Sequence, residues 1–285
     1  MATPLNPTLQ RYAVVTGGGA GIGEAFARRL AEDGFVVAIV DCDEGAAESV
    51  AQSLSGAISH KLDVSDDLAW AQLEGTLRSR WPRVDLLVNC AGMLHGGPLL
   101  TTSADSARRI LDVNLLGAVF GCQTLGPWMA EAPPLAWPRG VINVASIFAP
   151  LAPPGFAIYS ASKAGLLSLS DSLRGELRPL GLRATAVLPG VVRTGLFARA
   201  TYASEPFQQA ASQYLSESVL APEAVAHAGL HGFARNRPHV VVGRRARWYW
   251  TLKRAAPGRT IDRVAAVALR RIGAEAFRPP APPST

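Results

Sequence analysis

"YAVVTGGGAGIGEAFARRLAEDGFVVAIVD", residues 12–41, reads as strand, glycine turn, helix and second strand. Tyr12 to Thr16 is a short apolar run, followed by five glycines within residues 17–23. "GEAFARRLAEDG" has helical spacing and stops at Gly34, a residue suited to ending a helix. Phe35 to Val40 is apolar without alternation, as expected of a strand covered on both faces. A strand of that kind belongs to a parallel sheet between helical layers.

The same alternation continues along the chain. "AISHKLDV" (57–64), "VDLLVN" (84–89), "GVINVAS" (140–146), "RATAVLP" (183–189) and "HVVVG" (239–243) read as further strands. Helical patterns fill 45–56, 66–81, roughly 104–131 and 157–179. The expectation is an α/β fold: a doubly wound, Rossmann-type parallel sheet of seven strands with helices on both faces, and ligands beyond the strands' carboxyl ends. Residues 1–243 are read as one dinucleotide-binding catalytic domain, with a substrate loop at about 194–220. Residues 244–285 are read as a basic, partly helical extension whose Pro-rich end "RPPAPPST" is unstructured.

Bulk composition narrows the class. Hydrophobic residues make up 48% and charged residues 18%, which is globular rather than disordered. Cys42, Cys90 and Cys122 are scattered and odd in number, which argues against a disulfide framework or zinc site and suits a reducing compartment. With no long apolar run and no basic-then-apolar leader, the expectation is a soluble cytoplasmic protein. The net charge of +6 is unevenly placed. Residues 244–285 hold ten basic groups against Asp262 and Glu275, leaving the rest of the chain slightly acidic.

The glycine spacing is T-G-x-x-x-G-x-G, set between a strand and a helix. Such a turn lets a pyrophosphate approach the helix N-terminus, where free N–H groups and the dipole favour negative charge. Asp41 ends the second strand, eighteen residues after Gly23. An acid there accepts hydrogen bonds from the adenosine ribose and repels a 2′-phosphate, so NAD is expected over NADP.

"YSASK" (159–163) places one of only three lysines four residues after a tyrosine, so both side chains leave one helix face. A phenol of pKa about 10 becomes a proton shuttle near neutrality only if cations stabilise its anion, by about 4 kcal/mol for three units. Ser146 stands thirteen residues before Tyr159, at the end of the fifth strand. With "LDV" (62–64), "NCAG" (89–92), "VNLLG" (113–117) and "PGVVRT" (189–194) in order, residues 12–243 resemble the short-chain dehydrogenase/reductase family.

The resemblance implies a role for each position. Tyr159 would be the general acid/base, Ser146 would hydrogen-bond the substrate oxygen, and Lys163 would lower the phenol pKa and bind the nicotinamide ribose. Asn114 would hold a water linking the lysine to solvent. Gly17, Gly19, Gly21, Ile22 and Gly23 would meet the pyrophosphate, with Asp41 and Cys42 at the adenosine ribose and Asp63 and Val64 at the adenine. Asn89, Ala91 and Gly92 would line the cofactor, and Pro189, Gly190, Val192 and Thr194 would hold the nicotinamide. NADP-preferring relatives commonly carry a basic residue where this chain has Gly19 and Cys42. Cys90 departs from the family's usual N-N-A-G. No metal is called for, and His227 and His231 are read as helix surface.

The reaction implied is hydride transfer between NAD(H) and a secondary alcohol or ketone. The other reading on the same fold is a non-catalytic dinucleotide sensor. Loops 93–100, 147–156 and 195–215 are apolar and aromatic, so a hydrophobic substrate is expected, with His95, Phe148, Phe156 and Phe197 as its wall. Relatives assemble through their long helices, so a homodimer or homotetramer is expected. The basic extension is read first as a helix capping its own domain or a dimer partner; packing over the substrate mouth and peripheral membrane contact are the competing roles, and no nucleic acid is expected.

Overall fold

A computed structural model describes residues 10–133, 137–216 and 220–278. In chain order β1 (Arg11–Thr16), α1 (Gly21–Glu32), β2 (Phe35–Asp41), α2 (Glu44–Gln52), β3 (Ile58–Lys61), α3 (Asp67–Arg78) and β4 (Leu86–Asn89) form the first half. A two-residue strand, β5 (His95–Gly96), leads to α4 (Ala104–Leu111), a π-helical turn at Asp112–Leu116, and α5 (Gly117–Glu131). Then follow β6 (Arg139–Val144), the short α6 (Phe148–Leu151), the long α7 (Ala157–Leu177) and β7 (Leu182–Pro189). The chain ends with β8 (Thr201–Tyr202), α8 (Glu205–Ser216), α9 (Pro222–Ala234), β9 (His239–Val242), α10 (Arg244–Ala255) and α11 (Pro257–Ile272).

The main sheet has seven parallel strands in the order β3-β2-β1-β4-β6-β7-β9. The chain winds outward through β2 and β3, then returns across β1 to lay down β4 and its successors. This reversal opens a crevice above the carboxyl ends of β1 and β4, the place where doubly wound sheets hold ligands.

Strand alternation divides the core into two layers. Val15, Val37 and Ile39 face Phe26 and Leu30 of α1 and Phe233 of α9. Val14, Ala38, Val40 and Leu87 face Trp70, Leu73 and Trp128 on the other side. Asp43 caps α2 by accepting the Ala46 N–H at 3.1 Å, and Asp66 caps α3 through the N–H groups of Leu68 and Ala69.

The predicted strands and most helices stand where the periodicity puts them. The pair β5–β8, the turn α6, and helices α8 and α10 are additions. The extension does not trail from the body: α10 and α11 fold back over α6 and α8. Ala246, Tyr249, Trp250 and Val264 join the apolar cluster that holds Phe148, Phe156 and Tyr159. Ala268 and Ile272 close over Phe207 and Ala210. The Pro-rich end after Arg278, residues 1–9 and residues 217–219 of the substrate loop lie outside the described residues.

Trp70 anchors the second layer, fully buried with its indole N–H donating to the Val64 carbonyl at 3.0 Å. Trp70→Ala leaves a large cavity and should cost about 3–5 kcal/mol, read as a lowered urea midpoint. An unchanged midpoint would contradict this packing.

Candidate active site

The crevice is a cleft of about 520 Å³ whose lining runs from Asp41 and Asp63 at one end to Ser146, Tyr159 and Lys163 at the other. Its floor is the glycine turn. Gly17 and Gly21 have φ of +62° and +58°, and a Cβ on Gly23 would lie 2.0 Å from the Gly17 carbonyl oxygen. No larger residue fits these places without moving the backbone. Thr16 fastens the turn to the end of β4, its hydroxyl accepting the N–H groups of Cys90 and Ala91 at 3.0 and 3.1 Å. The N-terminus of α1 carries no side-chain cap, so its N–H groups face the cleft free to meet an anion. A dinucleotide fits this donor set: a cradle for its pyrophosphate, and a carboxylate at the far end for a ribose.

Asp41 accepts the N–H of Gly19 at 3.0 Å and that of Asp43 at 3.1 Å, which aligns its carboxylate at the cleft edge. Asp63 accepts from Ser65 N–H at 3.1 Å, from the Ser65 hydroxyl at 2.7 Å and from Arg109 at 2.6 Å. Burial alone would raise the Asp63 pKa; the hydrogen bonds from Arg109 and Ser65 outweigh it and hold the carboxyl below its usual range. Arg109 lines the cleft itself and has no local sequence signal, because it reaches Asp63 from α4, 46 residues along the chain. Met93, Leu196 and Arg199 are further lining residues missed in the sequence.

At the other end Tyr159 and Lys163 project from the first turns of α7, one turn apart. Both are nearly buried, at 6% and 4% exposure. Burial pushes the Tyr159 phenol up to about 12; a hydrogen bond with the Ser146 side chain pulls it back, and nearby Cys90 adds to the rise. With protein groups alone around it, the phenol is therefore a weak acid. Burial lowers the Lys163 amine to about 8. Its Nζ donates to the Val144 carbonyl at the end of β6 at 2.9 Å.

Asn114 sits within the π-helical turn, a deformation common at functional sites. Its Oδ1 accepts the Met93 N–H at 2.8 Å, and its Nδ2 donates to the Met93 carbonyl and the Ser162 hydroxyl, both at 3.0 Å. A Cβ on Gly92 would lie 3.3 Å from Asn114 Oδ1 and 3.4 Å from Lys163 Nζ, so the glycine leaves these two groups room.

Of the proposed cofactor residues, Gly17, Gly21, Ile22, Gly23, Asp41, Cys42, Asp63, Val64, Ala91, Gly92, Pro189, Gly190, Val192 and Thr194 line the cleft with Tyr159 and Lys163. Gly19 and Asn89 are not on its wall. Gly19 turns toward Asp41 and Ala46. Asn89 is spent on an interior chain, donating to Asn143 Oδ1 at 2.9 Å, while Asn143 donates to Ser170 Oγ at 2.9 Å. Nor do the four residues proposed as a substrate wall line the cleft. Phe148, Phe156 and Phe197 are buried in the cluster packed against Tyr159, because apolar loops find partners on α7 and α10 before they find solvent. The Phe148 ring meets Tyr159 edge-on at 6.0 Å. His95 hydrogen-bonds Thr201 at 2.8 Å within the β5–β8 ribbon.

Residues 11–204 match the short chain dehydrogenase family. The chain is 36% identical over 194 residues to an uncharacterized short-chain type dehydrogenase/reductase, y4vI, of Sinorhizobium fredii, which covers 66% of this chain. It spans only about a third of the length (34%) of that relative. It is 33% identical to the meso-2,3-butanediol dehydrogenase of Serratia marcescens, over 65% of this chain and 73% of that one. Among solved structures, a short chain dehydrogenase/reductase from Burkholderia phymatum in complex with NAD superposes with a TM-score of 0.80 at 26% identity, covering 89% of this chain and 96% of that one. This chain belongs to the short-chain dehydrogenase family. Among the described residues no helix is long and apolar enough to cross a membrane.

The Lys163 amine gives the protein a distinctive alkaline response. Its pKa falls from 10.5 to about 8 on folding, so the native state binds fewer protons than the unfolded chain between those values. The cost of burying the ammonium is present in full below about pH 8 and is relieved as pH rises to 10.5. The urea midpoint of the wild type should therefore climb relative to that of Lys163→Met between pH 8 and about 10. Parallel curves would mean that the amine is not desolvated as described.

Proposed function

We propose that this chain is an oxidoreductase moving a hydride between NAD(H) and a hydrophobic secondary alcohol or ketone. The observation that carries this reading is the convergence of Ser146, Tyr159 and Lys163 on the cleft that begins at the glycine turn. When bound, the nicotinamide supplies or accepts the hydride. The chain's own residues handle the proton and the charge. The Tyr159 hydroxyl gives a proton to the substrate oxygen in reduction and takes one in oxidation. Ser146 hydrogen-bonds the same oxygen, and its bond with Tyr159 orients the phenol. Lys163 stands one helical turn from the phenol and lines the same cleft, where its ammonium would favour the phenolate once the nicotinamide is bound.

A phenol near 12 is protonated at neutral pH, so the protein as folded is ready to act as an acid, the state that ketone reduction needs. Alcohol oxidation needs the phenolate and is expected to speed up as pH rises. Apolar side chains of Met93, Val192 and Leu196 line the cleft, which supports a hydrophobic substrate. Leu116, 39% exposed where the π turn meets α5, supports assembly of a homodimer or homotetramer along these helices.

The NAD preference rests on Asp41, a carboxylate on the cleft wall at the end of β2, which would repel a 2′-phosphate. Arg109, a cleft-lining cation, is committed to Asp63 and Ser65, and Lys61, the cross-strand neighbour of Asp41, pairs with Glu44.

Two measurements test the reading. Tyr159→Phe should lower kcat on a panel of secondary alcohols by about 10²–10⁴-fold with dinucleotide binding intact; full turnover would sink the mechanism, and no turnover by the wild type on any alcohol or ketone would favour a sensor. Asp41→Ser should reduce the kcat/KM ratio of NAD to NADP by about tenfold or more, the equivalent of about 1.4 kcal/mol. An unchanged ratio would remove Asp41 from the assignment.

A further inference from the structure

The two C-terminal helices have an inner face that the fold uses and an outer face that it does not. On the inside, Ala246 and Trp250 of α10 and Thr260, Val264, Ala268 and Ile272 of α11 recur at helical spacing and pack on the body. On the outside, Arg259, Arg263 and Arg270 form an exposed stripe along α11, and Arg247 and Arg254 form another along α10. The Arg263 guanidinium lies over the Trp248 ring at 5.6 Å, which joins the two stripes into one surface. Asp262 is the single acid in residues 244–272.

A face of one sign repels itself, and an anionic counterpart relieves that repulsion. The apolar groups beside the arginines narrow the choice: Trp248 is 50% exposed and Leu269 40%. Arginines beside an exposed indole and a leucine match a lipid headgroup layer, where the charges meet phosphates and the apolar groups reach the acyl boundary. Nucleic acid would reward the charge but not the aliphatic groups.

We infer that the outer face of α10 and α11 docks the protein on an anionic lipid surface. The apolar cluster under these helices is continuous with Tyr159. The docking itself does not depend on the reaction proposed above.

The test is flotation of the full chain with vesicles of phosphatidylcholine alone or of phosphatidylcholine with phosphatidylglycerol. Binding is expected only to the anionic vesicles, with release at high salt. Each arginine held at such a surface contributes about 1 kcal/mol, about a fivefold factor, so the triple variant Arg247→Glu, Arg263→Glu, Arg270→Glu should partition about a hundredfold less or weaker still. Trp248→Ala should weaken binding several-fold and retain the salt dependence. Melting curves establish that each variant is folded, and if the triple variant is not, Trp248→Ala decides. Absence of flotation with anionic vesicles, or flotation unchanged in the folded variants, overturns the inference. So does displacement from vesicles by a short DNA or RNA duplex at lower concentration than soluble lipid headgroup, which would assign the face to nucleic acid.

Discussion

A lysine taken almost wholly out of water is the constraint around which the cleft is organised. Lys163 makes one described protein hydrogen bond, to the Val144 carbonyl, and burial drags its amine down toward 8. An isolated ammonium in such a place is costly, and it persists only where the surroundings over-determine its position. They do so here from several directions: α7 presents it, β6 receives it, and Gly92 keeps the neighbouring volume clear. The same desolvation that strains the amine raises the phenol one turn away. One dry environment thus pushes the two groups in opposite directions, each toward its neutral form.

Much of this was legible in the sequence because burial leaves period. The seven strands announce themselves as apolar runs since both of their faces are covered, and the glycine turn was readable because no other residue survives a 2.0 Å approach. What stayed hidden lacks a period or a local cause. Two-residue strands such as β5 and β8 are too short to alternate. The π turn at Asp112–Leu116 inserts itself into a helical pattern that continues on both sides. α10 conceals its inner face because Ala246 and Trp250 stand among arginines.

The site divides along the same line. Most motif residues reach the cleft because strand ends and turns carry them there; Gly19, Asn89 and Asn114 stand behind its wall. Arg109 arrives only through tertiary folding, and nothing within "SARRIL" marks one of its two arginines as facing Asp63. The aromatic loops were misleading for a physical reason. An apolar loop residue suits a substrate wall and a core equally well, and Phe156 at 1% exposure has taken the core.

The interior chain from Asn89 through Asn143 and Ser170 to the Leu166 carbonyl has a consequence of its own. It ties β4, β6 and α7 together, and every member is neutral. Each amide hands its hydrogen to the next oxygen in a fixed sense, so turning Asn143 over would set its Nδ2 against that of Asn89 and break both of its links. Since no link can ionise, acid or alkali leaves this tie alone, and the helix that carries the lysine is held in register by contacts indifferent to pH. The tie beneath the crevice therefore carries no titrating group of its own.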